Sequence, residues 1–182
     1  RDLDLSGGIK FSKNGTEKVG INVYGNFSTG GVGLTGIDTL STTGNVTVTS
    51  SAYIKNIYTN GNVTLEGSAR ADLISAKGWI YTKSGGTQGD LYADKYINIT
   101  NGSLKNANTL SYIDWPSGGG TAQILTAGGY VNFGSSSVNT IRAKGNVNLS
   151  TWGTVSDVMS EGKIKCVSTN WGNYTLLKAI SF

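Results

Sequence analysis

The chain has 182 residues, 37% of them hydrophobic, and a formal net charge of +4, which suits one domain with a buried core. It contains no His, which excludes Ser/His and Cys/His catalytic arrangements, His metal sites and the commonest general base. A single Cys excludes an internal disulfide, Lys and Arg are scattered without a nucleic-acid footprint, and no run of about 18 apolar residues could span a membrane.

Residues 1–24 read as an N-terminal hairpin or cap. In "GGIKFSKNGTEKVGINVYG", Asn14-Gly15 is a type I′ turn signal, and Ile9, Phe11, Val19, Ile21 and Val23 alternate on its flanks. The sequence begins at Arg1 rather than Met, which leaves room for a removed leader or anchor.

From residue 25 a repeat takes over. Its anchors are Gly25, Gly44, Gly61, Gly78, Lys95, Ser111, Gly129, Gly145 and Gly162, at steps of 19, 17, 17, 17, 16, 18, 16 and 17 residues. Two residues after each anchor stand Phe27, Val46, Val63, Ile80, Ile97, Ile113, Val131, Val147 and Ile164, all apolar. Four after stand Thr29, Val48, Leu65, Thr82, Ile99, Trp115, Phe133, Leu149 and Cys166, the alternation of a strand with one buried face. Four before stand Leu40, Ile57, Ile74, Leu91, Ala107, Leu125, Ile141 and Val158, a second inward column. Two before stand Thr42, Thr59, Ala76, Ala93, Thr109, Ala127, Ala143 and Ser160, nothing larger than Thr, as a crowded corner requires.

Columns held at one period of about 17 residues predict an all-β fold, a parallel β-solenoid whose equivalent positions stack about 4.8 Å apart around a dry core. A three-sided coil with short strands suits this turn length. About nine turns over residues 25–170 would form a rod roughly 40 Å long. An antiparallel sandwich would explain the alternation but not the columns in register. Helix would scatter the columns, and the Gly, Asn and Thr content opposes it.

Corner residues follow a second pattern. Asn56, Asp72, Asp90, Asn106, Asn139 and Asp157 fall just before the next aliphatic residue, where Asx side chains favour a bend. An acidic metal ladder at Asp72 and Asp90 is the sharper alternative, and the plain bend is preferred, so no metal or cofactor site is assigned. "DWPSGGGTAQ" interrupts the sixth turn and predicts a protruding flexible loop at Pro116 and Gly118 to Gly120. Cys166, in an inward column, is expected to be a buried, inert thiol. Asn-x-Ser/Thr sequons at Asn45, Asn62, Asn98 and Asn173 carry little weight in a chain this rich in Asn and Thr. Residues 171–182 predict a closing strand, with Tyr174, Leu176, Ile180 and Phe182 on one face, broken by Lys178. That strand either folds back on the rod or is donated to a partner.

The position after each anchor points outward: Asn26, Asn45, Asn62, Trp79, Tyr96, Tyr112, Tyr130, Asn146 and Lys163. Its four consecutive aromatics, with Tyr81 on the same face, form a stripe. Such a stripe packs against another protein, stacks on sugar rings, or only stabilises its own sheet.

Turns of the form "GDLYADKYINITNGSLKN" and "DVMSEGKIKC" resemble the polymer-forming bactofilin family and bactofilin-like solenoids attached to surface or pilus proteins, over about residues 40–167. The resemblance implies a right-handed, three-sided coil that binds no nucleotide and associates end to end into filaments. The richness in Asn, Thr and Tyr and the added terminal segments depart from that family and point away from a cytoplasmic cytoskeleton.

The favoured expectation is therefore a non-enzymatic structural subunit of a surface appendage or filament. It would be extracellular or at the cell surface, with a cytoplasmic filament as the alternative. Its partners would be copies of itself or other filament subunits, met through the solenoid ends or the stripe, and not nucleic acid. The second expectation is a glycan-binding rod of an adhesin or phage fibre using Trp79, Tyr96, Tyr112 and Tyr130. A β-helical polysaccharide lyase or hydrolase ranks third because its 11 acids are dispersed without a clear pair, and an ice-binding rod fourth, for want of a regular Thr-x-Thr array.

Overall fold

The structure is a computed structural model that describes residues 19–31, 33–83, 85–150, 153–166 and 174–179. Its strands in chain order are β1 (Val19–Val23), β2 (Phe27–Ser28), β3 (Ile37–Thr42), β4 (Val46–Val48), β5 (Ile54–Thr59), β6 (Val63–Leu65) and β7 (Leu73–Ala76). There follow β8 (Ile80–Thr82), β9 (Thr87–Ala93), β10 (Ile97–Ile99), β11 (Ser103–Thr109), β12 (Ile113–Trp115) and β13 (Thr121–Ala127). The last are β14 (Val131–Phe133), β15 (Ser137–Ala143), β16 (Val147–Leu149), β17 (Thr154–Ser160), β18 (Ile164–Cys166) and β19 (Tyr174–Ala179). Odd-numbered strands stack in order into a 10-stranded sheet and even-numbered strands into a 9-stranded sheet. Every pairing is parallel, each strand bonding to its equivalents one turn before and after. This is a parallel β-solenoid of about eight turns. No helix among the described residues is long and apolar enough to cross a membrane.

Most turns bury three pairs of residues, for example Val131 and Phe133, Ser136 and Val138, then Ile141 and Ala143. Asn139 and Thr140 between the last two pairs both face outward, so the chain turns a corner inside β15. The ladder skips there, passing from Val138↔Val155 to Thr140↔Asp157. Alternation along each side and a break at each corner give a three-sided coil.

The four columns read from the sequence are real ladders. The column from Phe27 to Val147 is buried throughout, as is that from Leu40 to Val158, and every neighbouring pair is in register. The small-residue column sits at a corner where successive backbones nearly touch. Thr59 Oγ1 donates to the Gly44 carbonyl and accepts from Gly61 N (2.9 Å), and Ser160 Oγ repeats both bonds with Gly145 O (2.8 Å) and Gly162 N (3.1 Å). One hydroxyl thus stitches two turns together while satisfying a bent peptide.

The sequence reading missed the third side. Ala52, Ile54, Ala69, Ala71, Gln88, Leu104, Ala122, Val138 and Val155 line it. Gln88, 4% exposed, accepts from Ala71 N (2.9 Å) and donates to Ala69 O (2.8 Å), so its amide stands in for a missing rung of the ladder.

Several expectations change in detail. β1, read as the second arm of a hairpin, runs parallel to β3 as part of the coil; the first arm, within residues 1–18, lies outside the described residues. Asn56, Asp90, Asn106 and Asp157 share one corner column, but Asp72 and Asn139 sit one residue ahead of it. Asp72 and Asp90 therefore do not stack. Asp72 accepts from the Tyr53 hydroxyl (2.7 Å), and Asp90 accepts from Asn106 Nδ2 (2.7 Å) and pairs with Lys105 (3.5 Å). The Pro116–Gly120 segment lies against its neighbours instead of protruding. A Cβ on Gly118 would meet Thr100 O at 2.1 Å and one on Gly120 would meet Gly102 O at 2.1 Å, while Ser136 Oγ bonds Gly118 O from the next turn. Cys166 is only half-buried because it lies on β18, the last strand of its sheet.

Candidate functional site

The outer face of the 9-stranded sheet carries the aromatic stripe. β8, β10, β12 and β14 place Trp79, Tyr96, Tyr112 and Tyr130 at the same offset in four consecutive turns. Backbone bonds from Ile80 N to Tyr96 O (3.0 Å), Ile97 N to Tyr112 O (3.0 Å) and Ile113 N to Tyr130 O (3.1 Å) hold that offset. The rings stack face to face. Centroid distances are 6.0 Å for Trp79–Tyr96, 4.9 Å for Tyr96–Tyr112 and 4.7 Å for Tyr112–Tyr130, with interplanar angles of 14°, 5° and 6°. Tyr81 meets Trp79 edge-on at 6.5 Å, and Lys83 Nζ lies 4.9 Å from the Tyr81 ring centroid. All five expected stripe residues are thus brought together.

Asn brackets the stripe for a physical reason. Asn26, Asn45 and Asn62 each accept, through Oδ1, the backbone N–H of the residue one turn later, at 2.8, 2.9 and 3.0 Å; Asn146 does the same for Lys163 N at 2.8 Å. These are side-chain-to-backbone ladders. The Asn oxygen also crowds the next anchor: a Cβ on Gly78 would meet Asn62 Oδ1 at 2.0 Å, and one on Gly162 would meet Asn146 Oδ1 at 2.6 Å. Lys95 and Ser111, the two anchors that are not Gly, both follow an aromatic turn. Aromatic rings cannot accept this bond, so stacking replaces it across the middle of the rod.

Beside the rings runs a polar ladder that the sequence reading missed. Tyr81, Asn98, Asp114, Asn132 and Asn148 share one register column. Asn98 Nδ2 and Asn132 Nδ2 donate to Asp114 at 3.5 and 3.2 Å, and Asn148 Nδ2 donates to Asn132 Oδ1 at 2.7 Å. The signal was present three residues after each anchor. Burial raises the Tyr112 phenol above its ordinary value, helped by Tyr130, Tyr96 and Asp114; burial and then Asp114 raise Tyr130. Both phenols are therefore neutral at physiological pH.

The terminal candidates do not join this site. β19 belongs to the other sheet, pairing with β17 through Val155↔Tyr174, Asp157↔Leu176 and Val158↔Leu177. Tyr174 thus continues the register column of buried Val155, and Leu176 the corner column of Asp157. Ile180 and Phe182 lie outside the described residues. Sequence reasoning also missed exposed aromatics, namely Tyr58 (42% exposed) and Tyr92 (44%) on the 10-stranded sheet and Tyr24 (88%) just after β1. Among the described residues no group of three or more Cys, Asp or Glu is placed to hold a metal ion.

Fold and surface together define a parallel β-solenoid repeat protein with an aromatic ladder along one outer face. Comparison with protein-family models, curated proteins and solved structures finds no match.

Proposed function

We propose that this chain is a structural rod, a subunit of an extracellular or cell-surface appendage or filament, resembling bactofilin-like solenoids in its manner of assembly. The observation that carries this reading is the state of the sheet ends. Among the described residues β1 and β19 close one parallel sheet and β2 and β18 the other, and each of these four strands pairs on one side only. A parallel edge with inward columns already in register is a template for another copy. The aromatic ladder offers a lateral contact, since Tyr130 is 39% exposed and the ring edges line one side of the rod.

Glycan binding on this stripe has weaker support. Sugars stack on ring faces, and here the neighbouring rings cover those faces at 4.7–6.0 Å.

Negative-stain electron microscopy over a concentration series tests the proposal, using the full chain, a chain lacking residues 174–182, and Tyr130→Ser. Filaments with an axial repeat near the rod length, lost on truncation, are the expected result. Filaments that persist singly but no longer bundle in Tyr130→Ser assign the stripe to lateral contacts. Isolated short rods at every concentration overturn self-assembly.

A further inference from the structure

Besides forming a surface, the aromatic ladder is a continuous path of π-systems through four turns. Trp79, Tyr96, Tyr112 and Tyr130 follow one another at centroid distances of 6.0, 4.9 and 4.7 Å, with interplanar angles of 14°, 5° and 6°. At ring contact, an electron missing from one ring is readily filled from the next. Tyr24, Tyr58 and Tyr92 are all more exposed than Tyr130, but among the described residues none of them stacks on another ring.

The two ends of the path differ in charge and in access. An oxidised phenol is a strong acid, and it is trapped as a neutral phenoxyl radical where a positioned base takes its proton. Asp114 supplies that base. It is the one acid in the polar column of Tyr81, Asn98, Asp114, Asn132 and Asn148, where Asn98 and Asn132 Nδ2 donate to it at 3.5 and 3.2 Å. Its charge acts on both the Tyr112 and the Tyr130 phenols, and a negative charge also lowers the energy of an electron hole beside it. At the Trp79 end, Lys83 Nζ lies 4.9 Å from the Tyr81 ring centroid and disfavours a hole there, an effect reduced by its ion pair with Glu66 (3.3 Å). The path therefore runs toward Tyr130, which ends the stack and is 39% exposed.

We propose that the ladder is a one-electron relay that collects oxidation at Tyr130, where two rods become joined through dityrosine. A one-electron oxidant, such as a peroxidase working with hydrogen peroxide, removes an electron from one ring of the ladder. Neighbouring rings refill each hole in turn until Tyr130 has lost an electron and has passed its phenol proton to Asp114. Two such radicals from different rods then form one carbon–carbon bond between ring positions ortho to the hydroxyls. The hydrogen displaced from each of these carbons is lost to water, and each oxygen regains a proton. In sum, two phenols and one hydrogen peroxide give one dityrosine and two waters. The relay lies on the face assigned above to lateral contacts, but coupling of dilute rods needs only their collision.

Photo-oxidation of the full chain with tris(bipyridine)ruthenium(II) and persulfate tests it, at a dilution where microscopy shows isolated rods. Dityrosine fluorescence and mass-spectrometric mapping of the cross-linked peptides are the readouts. Rods joined mainly from Tyr130 to Tyr130 are expected, although Tyr24 is 88% exposed. Tyr130→Phe should remove most of the dityrosine, and Tyr24→Phe little of it. Tyr112→Phe separates a relay from simple exposure. It keeps the stacked ring and the access to Tyr130, but a phenylalanine ring is far harder to oxidise, so a relay loses Tyr130 coupling while direct oxidation leaves it unchanged. Asp114→Asn, of the same size, should also lower Tyr130 coupling. An absence of dityrosine, cross-links mainly at Tyr24, Tyr58 or Tyr92, or Tyr130 coupling that is unchanged in Tyr112→Phe would overturn the proposal. None of these outcomes bears on whether unoxidised rods form filaments.

Discussion

At Gly61 the backbone has an ordinary conformation, yet a Cβ would stand 2.6 Å from the Gly44 carbonyl and 2.8 Å from Asn45 Oδ1. The glycine is needed for space between turns and not for its torsional freedom. Gly61→Ala should therefore lower stability by about 1–3 kcal/mol, while Gly119→Ala, where a Cβ meets nothing within 4 Å, should leave the melting temperature unchanged or slightly higher. Gln88 is a second single-residue test. Gln88→Leu keeps the volume but strands the buried Ala71 N–H, and a loss of about 1–3 kcal/mol in chemical denaturation is expected. Tyr53 carries the pH dependence. Burial, with the Asp72 hydrogen bond and charge, pushes its phenol up to about 12 from an ordinary 10.0. A raised folded value means that the native state holds the proton longer than the unfolded chain does, so the stabilisation is full below pH 10 and is lost as pH rises toward 12. Tyr53→Phe, which removes the hydrogen bond to Asp72, should lower the melting temperature by a pH-independent amount below pH 10. Above it, the wild type should fall more steeply than the variant.

At the scale of elements, each side of the coil is held by a ladder of one chemical kind. Inward Val and Ile columns remove apolar surface from water, corner hydroxyls bridge turns, and Asn or aromatic columns line the outside. The rings of the aromatic ladder should be energetically coupled. A double-mutant cycle on Tyr96→Leu and Tyr112→Leu should give a coupling of about 0.5–1.5 kcal/mol, whereas Tyr58→Leu and Tyr112→Leu, on different sheets, should be additive. The cross-turn ion pairs Lys55–Asp38 (3.4 Å) and Lys83–Glu66 (3.3 Å) lie at the surface with their Lys ends in solvent, and such pairs add little.

For the whole molecule, a rod in which each turn meets only its neighbours should respond to a mutation according to its place along the axis. Ile97 is fully buried at the centre of the rod, so Ile97→Ala should cost about 2–5 kcal/mol and split thermal unfolding into two transitions. Ile164 is half-buried on the last short strand, and Ile164→Ala should only fray that end, seen as faster amide exchange confined to β16 and β18. A single unchanged transition in Ile97→Ala would show that the rod melts as one unit.

Much of this architecture was legible because a solenoid makes sequence period and spatial stacking the same thing. Columns such as Val46, Val63, Ile80 and Ile97 had to share a ladder once the step was about 17 residues, and the same reasoning placed Trp79, Tyr96, Tyr112 and Tyr130 on one stripe. The third side was hidden because Ala, Gln, Gly and Ser line much of it, and small or polar residues leave no apolar period to read. Tertiary structure alone decided the corner registers. A skipped residue shifts every later side chain to the other face, which is why Asp72 and Asp90 part company and the Pro116–Gly120 segment lies within the coil. It also decided which tyrosines stack, because a ring contact depends on the neighbour one turn away: an aromatic beside Tyr96, a serine beside Tyr58.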